Sequence, residues 1–136
     1  MTSILSKYSN LTQRIVAALI GAIIIIASLF LGPWYYFIVF LTICVLSLLE
    51  FYKLVGLDGM IPLKTLGTGI GICLFTFTFL VENHILPAVW YFLLFPLTSL
   101  VYLTYLYRKQ IKKPFRGAAF TFLGVIYIAL PFALLN

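Results

Sequence analysis

The sequence predicts an all-α fold, a polytopic transmembrane helical bundle of about five spanning helices with its N-terminus cytoplasmic. Three observations carry that prediction. Of 136 residues, 64% are hydrophobic and only 9% charged, against about 25% charged in an ordinary soluble domain. Apolar stretches of spanning length follow one another with short polar interruptions. With five spans, every Lys and Arg falls on the loops of one side, which the positive-inside rule makes cytoplasmic.

A crossing helix needs about 20 mostly apolar residues, each adding about 1.5 Å across a hydrocarbon core about 30 Å thick. Before the first span, Ile4, Tyr8, Leu11 and Ile15 recur at helical spacing, predicting a short interfacial segment over 3–14. The first span is expected over 15–31. It ends at Gly32-Pro33, because proline has no N–H for the helical ladder and restricts the residue before it. A cleaved signal peptide is the rival reading, but the stretch is too long and lacks an A-x-A-like site.

The second span is expected over 34–53, forming a hairpin with the first. A loop from Val55 to Met60 follows, and Pro62 suits the first turn of a third span over 62–81. Glu82, Asn83 and His84 interrupt the apolar run. The fourth span is expected over 86–107 with a kink at Pro96, and the fifth over 117–135. The whole reads as a single membrane domain over 1–136.

The nine basic residues are Lys7, Arg14, Lys53, Lys64, Arg108, Lys109, Lys112, Lys113 and Arg116. Lys7, Arg14, Lys53 and Lys64 stand apart and the other five fall in one run over 108–116, a distribution unlike a nucleic-acid groove in spite of the net charge of +6. Trp34, Tyr35, Tyr36, Trp90 and Tyr91 cluster towards the opposite loops, as an interfacial aromatic belt does. Cys44 and Cys73 lie in apolar runs without a CxxC or a neighbouring His, so buried free thiols are expected.

Four features are candidates for function. Gly67 and Gly71 form a GxxxG spacing that admits close helix packing. Glu50 is an acid within a span, where a charge costs roughly 2.5–3.5 kcal/mol at mid-membrane. It marks either a functional site or an interfacial pair with Lys53, one turn away. The run containing Arg108, Lys109, Lys112, Lys113 and Arg116 either contacts lipid head groups and phosphate or simply anchors topology, each cation near an anionic surface contributing about 1 kcal/mol. His84 reads as a solvated loop residue. One His, one Asp and two Glu make no catalytic or metal-ligating constellation.

Specific residues nonetheless resemble a known family. Gln13-Arg14-Ile15 with Ala17-Ala18, Phe30-Leu31-Gly32-Pro33-Trp34, and Leu48-Leu49-Glu50-Phe51-Tyr52-Lys53-Leu54 resemble the N-terminal half of bacterial phosphatidate cytidylyltransferases (CDP-diacylglycerol synthases). Leu123 to Pro131 resembles a helix near the middle of the same family. The Asp-rich signature that closes full-length members does not occur between Met1 and Asn136.

The resemblance implies the N-terminal membrane portion of a nucleotidyltransferase that moves a cytidylyl group from CTP to phosphatidic acid in phospholipid synthesis. It further implies Mg2+ for the full-length family, with no ligands in this chain. Its expected partners are membrane lipids, phosphatidic acid, CTP and a missing catalytic C-terminal half, with a homodimer as a further candidate and no nucleic acid. The expected location is the bacterial inner membrane. The chain is expected to be a fragment, inactive alone. The alternative is a small non-enzymatic membrane protein, an assembly partner or transporter subunit packing through Gly67 and Gly71.

Overall fold

The computed structural model describes residues 2–57, 62–107 and 114–136, with side chains described over 11–57, 62–107 and 115–136. About 90% of the described residues are helical, and no strand occurs among them. In order, the elements are α1 (Thr2–Leu31), α2 (Pro33–Leu57), α3 (Lys64–Glu82), a 3-10 segment (Ala88–Leu93), α4 (Leu94–Tyr107), α5 (Pro114–Gly124), a π turn (Val125–Ala129) and α6 (Leu130–Ala133). Five stretches are long and apolar enough to cross a membrane: Leu11–Leu31, Pro33–Leu57, Lys64–Glu82, Ala88–Tyr107 and Phe115–Ala133. Helices of this kind satisfy every backbone polar group within the segment itself, as crossing hydrocarbon requires. The chain is a helical membrane protein.

The chain divides into two compact units, Met1–Phe40 and Leu41–Asn136. In the first, α1 runs unbroken from Thr2, so no break separates the interfacial segment expected at 3–14 from the span. Gly32 joins the two helices at φ 126°, a conformation open to glycine and hostile to any residue with a Cβ. Pro33 then supplies the first residue of α2, where its missing N–H costs nothing. Ile23, Phe30, Leu31, Trp34 and Tyr35 are exposed, as lipid-facing side chains are. Ser28 is buried and returns its hydroxyl proton to Ile25 O at 2.7 Å.

In the second unit the buried positions recur at every fourth residue. They are Cys44, Leu48 and Tyr52 on α2; Gly67, Gly71, Phe75 and Phe79 on α3; Val101 and Tyr105 on α4; and Gly117, Thr121, Val125, Ala129 and Ala133 along the last span. Such ridges let small residues sit against large ones on the neighbouring helix. The pairing runs in step along α3 and the last span. Leu63 meets Thr121, Tyr52 fits between Gly67 and Gly124, and Ala129 lies against Gly71. These two spans are therefore parallel, and α4 returns between them. The ends carrying Lys53, Lys64 and Arg116 lie together, and Glu82 and His84 lie at the far end of α3.

Both irregular segments trace to proline. The 3-10 segment follows Pro87, with Trp90 N–H donating to Pro87 O at 3.2 Å. Regular α geometry begins at Leu94, so the irregularity expected at Pro96 falls just before it, in the turn whose carbonyl the ring would otherwise strike. Near the C-terminus, Leu130 N–H donates to Val125 O, five residues back, immediately ahead of Pro131.

The end of α3 is closed by a residue of unusual conformation. His84 has φ 57°; its N–H donates to Val81 O at 3.0 Å, and Ile85 N–H donates to Leu80 O at 2.9 Å. These are the paired bonds of a Schellman termination, normally built on glycine. His84 is exposed, in agreement with the solvated position expected for it.

Candidate functional site

Three hydroxyl-bearing side chains from three helices meet inside the second unit. Tyr52 is fully buried, and its hydroxyl donates to Thr121 O at 2.7 Å. Thr121, also fully buried, accepts from Leu63 N–H at 3.0 Å and donates to Gly117 O at 2.8 Å through Oγ1. With the Thr121 proton so committed, the Tyr105 hydroxyl is the donor in its 3.4 Å contact with the same oxygen. A buried polar atom in an apolar bundle costs stability unless it is paired, and these groups satisfy one another.

Glycines make the room. A Cβ on Gly67 would fall on the Tyr52 hydroxyl, and one on Gly124 would come within 2.6 Å of the same oxygen. A Cβ on Gly117 would stand 2.5 Å from the Tyr105 hydroxyl. Each tyrosine is therefore seated in a notch that only glycine leaves open. Thr121 in turn fixes the chain entering α3: Leu63 precedes the helix in a non-helical conformation, and its N–H would otherwise be orphaned. This explains why α3 begins at Lys64, two residues beyond Pro62.

Beside this cluster, a pocket of about 510 Å³ is lined by Pro62, Leu63, Lys64, Thr65, Leu66 and Thr104. It offers one cation and two hydroxyls beside the apolar side chains of Pro62, Leu63 and Leu66. The Lys64 ammonium also lies 3.9 Å from where a Gly56 Cβ would sit, over the last turn of α2, where a positive charge complements the carbonyl end of the helix.

Of the residues singled out in the sequence, Gly67 and Gly71 are both buried at helix contacts, Gly67 against Tyr52 and Gly71 against Leu48 and Ala129. Glu50 is exposed on α2, as is Lys53 one turn on. Arg116 is exposed in the first turn of α5. Arg108, Lys109, Lys112 and Lys113 lie outside the described residues. Tyr52, Tyr105 and Thr121 were not singled out, although each lies near the end of a span and each hydroxyl would need a partner there.

Among the described residues, no three His, Cys, Asp or Glu side chains come together in a way that could hold a metal ion. Mg2+, commonly held by one or two carboxylates together with substrate phosphates, is given no ligand among the described residues.

The comparison that decides the family is a match to the model of the cytidylyltransferase family over residues 12–136. The chain belongs to the cytidylyltransferase family. This is the phosphatidate cytidylyltransferase family that the residues around Gly32 and Glu50 resemble. No curated protein and no solved structure matches the chain. The match takes in the Gly32 turn, the tyrosine notches and the π turn of this cytidylyltransferase-family chain together.

Proposed function

We propose that this chain is the membrane portion of an enzyme that transfers a cytidylyl group from CTP to phosphatidic acid, giving CDP-diacylglycerol and pyrophosphate. The observation that carries the proposal is the family match over 12–136. In that reaction a phosphate oxygen of the lipid attacks the α-phosphorus of CTP, and pyrophosphate departs. The part assigned to the described residues is architectural. The Tyr52, Tyr105 and Thr121 cluster sets the spacing of α2 to α5, and the pocket at Lys64 forms one wall of a lipid-accessible cavity.

The basic run from Arg108 to Arg116 contacts anionic head groups at the cytoplasmic face of a bacterial inner membrane, where the N-terminus also lies. Support for this orientation comes from the segregation of Lys and Arg in the sequence. Reporter fusions at the N-terminus and within the 83–87 connection test it, and a translocated N-terminus overturns it.

The activity is tested in proteoliposomes containing phosphatidic acid and labelled CTP. The chain is assayed as it stands and when joined to a segment carrying the family's Asp-rich signature. CDP-diacylglycerol is expected only from the joined protein. Product from the chain alone overturns the architectural role, and none from the joined protein overturns the reaction.

A further inference from the structure

The first turn of α3 holds donors that no described residue answers. Lys64 N–H turns back to Pro62 O at 3.0 Å and Gly67 N–H takes Leu63 O at 2.8 Å. The N–H groups of Thr65 and Leu66 have no acceptor among the described residues. The Lys64 ammonium, with three donors, makes no ion pair or hydrogen bond to a described residue. Lys64, Thr65 and Leu66 all line the pocket of about 510 Å³, so a cation and the positive end of a helix face one space.

A buried hydroxyl is directed at the same space from below. Thr68 is 8% exposed, and its Oγ1 is buried with no partner. Thr78, Thr104 and Thr121 return their hydroxyl protons to the carbonyl four residues back, as threonines within helices do; Thr68 does not take Lys64 O. At about 100° per residue, Thr68 lies between Lys64 and Thr65 on the helix face, one turn deeper. Side chains on an α-helix lean towards its N-terminus, which aims this hydroxyl at the pocket. A group entering there would supply the partner that a buried polar atom needs.

Thr104 lies on the α4 side of the pocket, and its proton is committed to Leu100 O at 2.7 Å. Leu100 and Tyr107, on the same face of α4 as Thr104, are exposed, which opens the pocket towards lipid.

We propose that this pocket is a phosphate subsite, in which the phosphomonoester of a membrane lipid is bound by the Lys64 ammonium, the Thr65 and Leu66 N–H groups and the Thr68 hydroxyl. A phosphomonoester carries a charge of roughly −1.5 to −2 near neutral pH, which favours it over the singly charged diester of other anionic lipids. The subsite deepens the proposed function and rests on that reading for the choice of phosphatidic acid as the lipid.

The full chain in neutral micelles is mixed with equal amounts of short-chain phosphatidic acid, phosphatidylglycerol and phosphatidylcholine, and the lipid it retains is identified by native mass spectrometry. Phosphatidic acid is expected to be retained roughly threefold or more over phosphatidylglycerol. Lys64→Gln should lower that retention roughly tenfold, the loss of one charge-assisted hydrogen bond. Lys64→Arg should recover part of it. Lys53→Gln, at an exposed cation of the same end, should change nothing. Thr68→Val is the second variant, expected to weaken retention without lowering the unfolding midpoint of the lipid-free chain, because it removes an unpaired hydroxyl.

Equal retention of the two anionic lipids, or equal losses from Lys64→Gln and Lys53→Gln, overturns the subsite. Displacement by inorganic phosphate at the same concentration makes free phosphate the occupant and overturns the lipid assignment. A joined protein that makes CDP-diacylglycerol while the chain shows no lipid preference overturns the subsite alone, and the reverse pattern overturns the reaction alone.

Discussion

The hydroxyl of Tyr52 on α2 donates to the main-chain carbonyl of Thr121 on α5 at 2.7 Å, and both residues are fully buried. The bond crosses between helices far apart in sequence and lies between two glycines that leave space for the ring. Tyr52→Phe keeps the ring and leaves the Thr121 carbonyl without this donor. It should destabilise the bundle by about 1 kcal/mol. Tyr52→Ala empties the notch and should cost about 3–5 kcal/mol, as large aromatic truncations in cores do. Reversible unfolding in mixed detergent micelles measures both, and equal effects would show that the hydroxyl rather than the ring carries the contact.

The three glycines of α3 should respond differently to alanine. Gly67→Ala drives a methyl into Tyr52, and Gly71→Ala places one 2.5 Å from Leu48 Cδ1 and 3.2 Å from the Ala129 Cβ. Each should destabilise by about 1–3 kcal/mol through overpacking. Gly69 has open space where its Cβ would be, so Gly69→Ala should be neutral or stabilise by up to about 1 kcal/mol. The same unfolding series ranks the three, and a uniform response would contradict the packing described.

Thr121→Val preserves shape and removes the acceptor of Leu63 N–H. The start of α3 should loosen, with a loss of about 1–3 kcal/mol for the unpaired backbone group. Thr121→Ser retains the hydroxyl and should recover much of that loss. Hydrogen exchange at Leu63 is the direct readout, with fast exchange expected in the valine variant alone.

His84 occupies a left-handed conformation that costs a residue with a Cβ roughly 1–2 kcal/mol relative to glycine. His84→Gly should therefore raise stability by about 1 kcal/mol, offset in part by the greater freedom of glycine in the unfolded chain. Gly32→Ala should do the reverse. Nothing stands within 4 Å of its would-be Cβ, so its loss, of about 1–3 kcal/mol, would come from the backbone at φ 126° alone. A shift in unfolding midpoint of opposite sign in the two variants checks the pair.

The five spans were legible in the sequence because lipid constrains the backbone harder than any side-chain pattern does. Gly32-Pro33 marked the first turn for a stereochemical reason that needs no neighbour. The facing of each helix was less legible, because Leu48 in the core and Leu46 on the surface are equally apolar in a bilayer. Gly67 and Gly71 announced a close approach without naming what approaches, and the answers, Tyr52 and Leu48, belong to another span. The hydroxyls of Thr121 and Tyr105 find their partners only in three dimensions. The π turn left one trace in the sequence, Pro131 just beyond it. Arg108 to Lys113 lie outside the described residues, so their arrangement adds nothing to this comparison.

Parallel alignment of α3 with the last span gathers Lys53, Lys64 and Arg116 at one end of the second unit. Across an energised membrane, moving one elementary charge through the potential is worth about 2.3 kcal/mol per 100 mV. In the proposed orientation these cations lie at the negative side and are stabilised by the field; an inverted molecule would hold them against it. In that orientation a membrane potential would act as a continuous bias on how this bundle is oriented, and the bias would weaken on depolarisation.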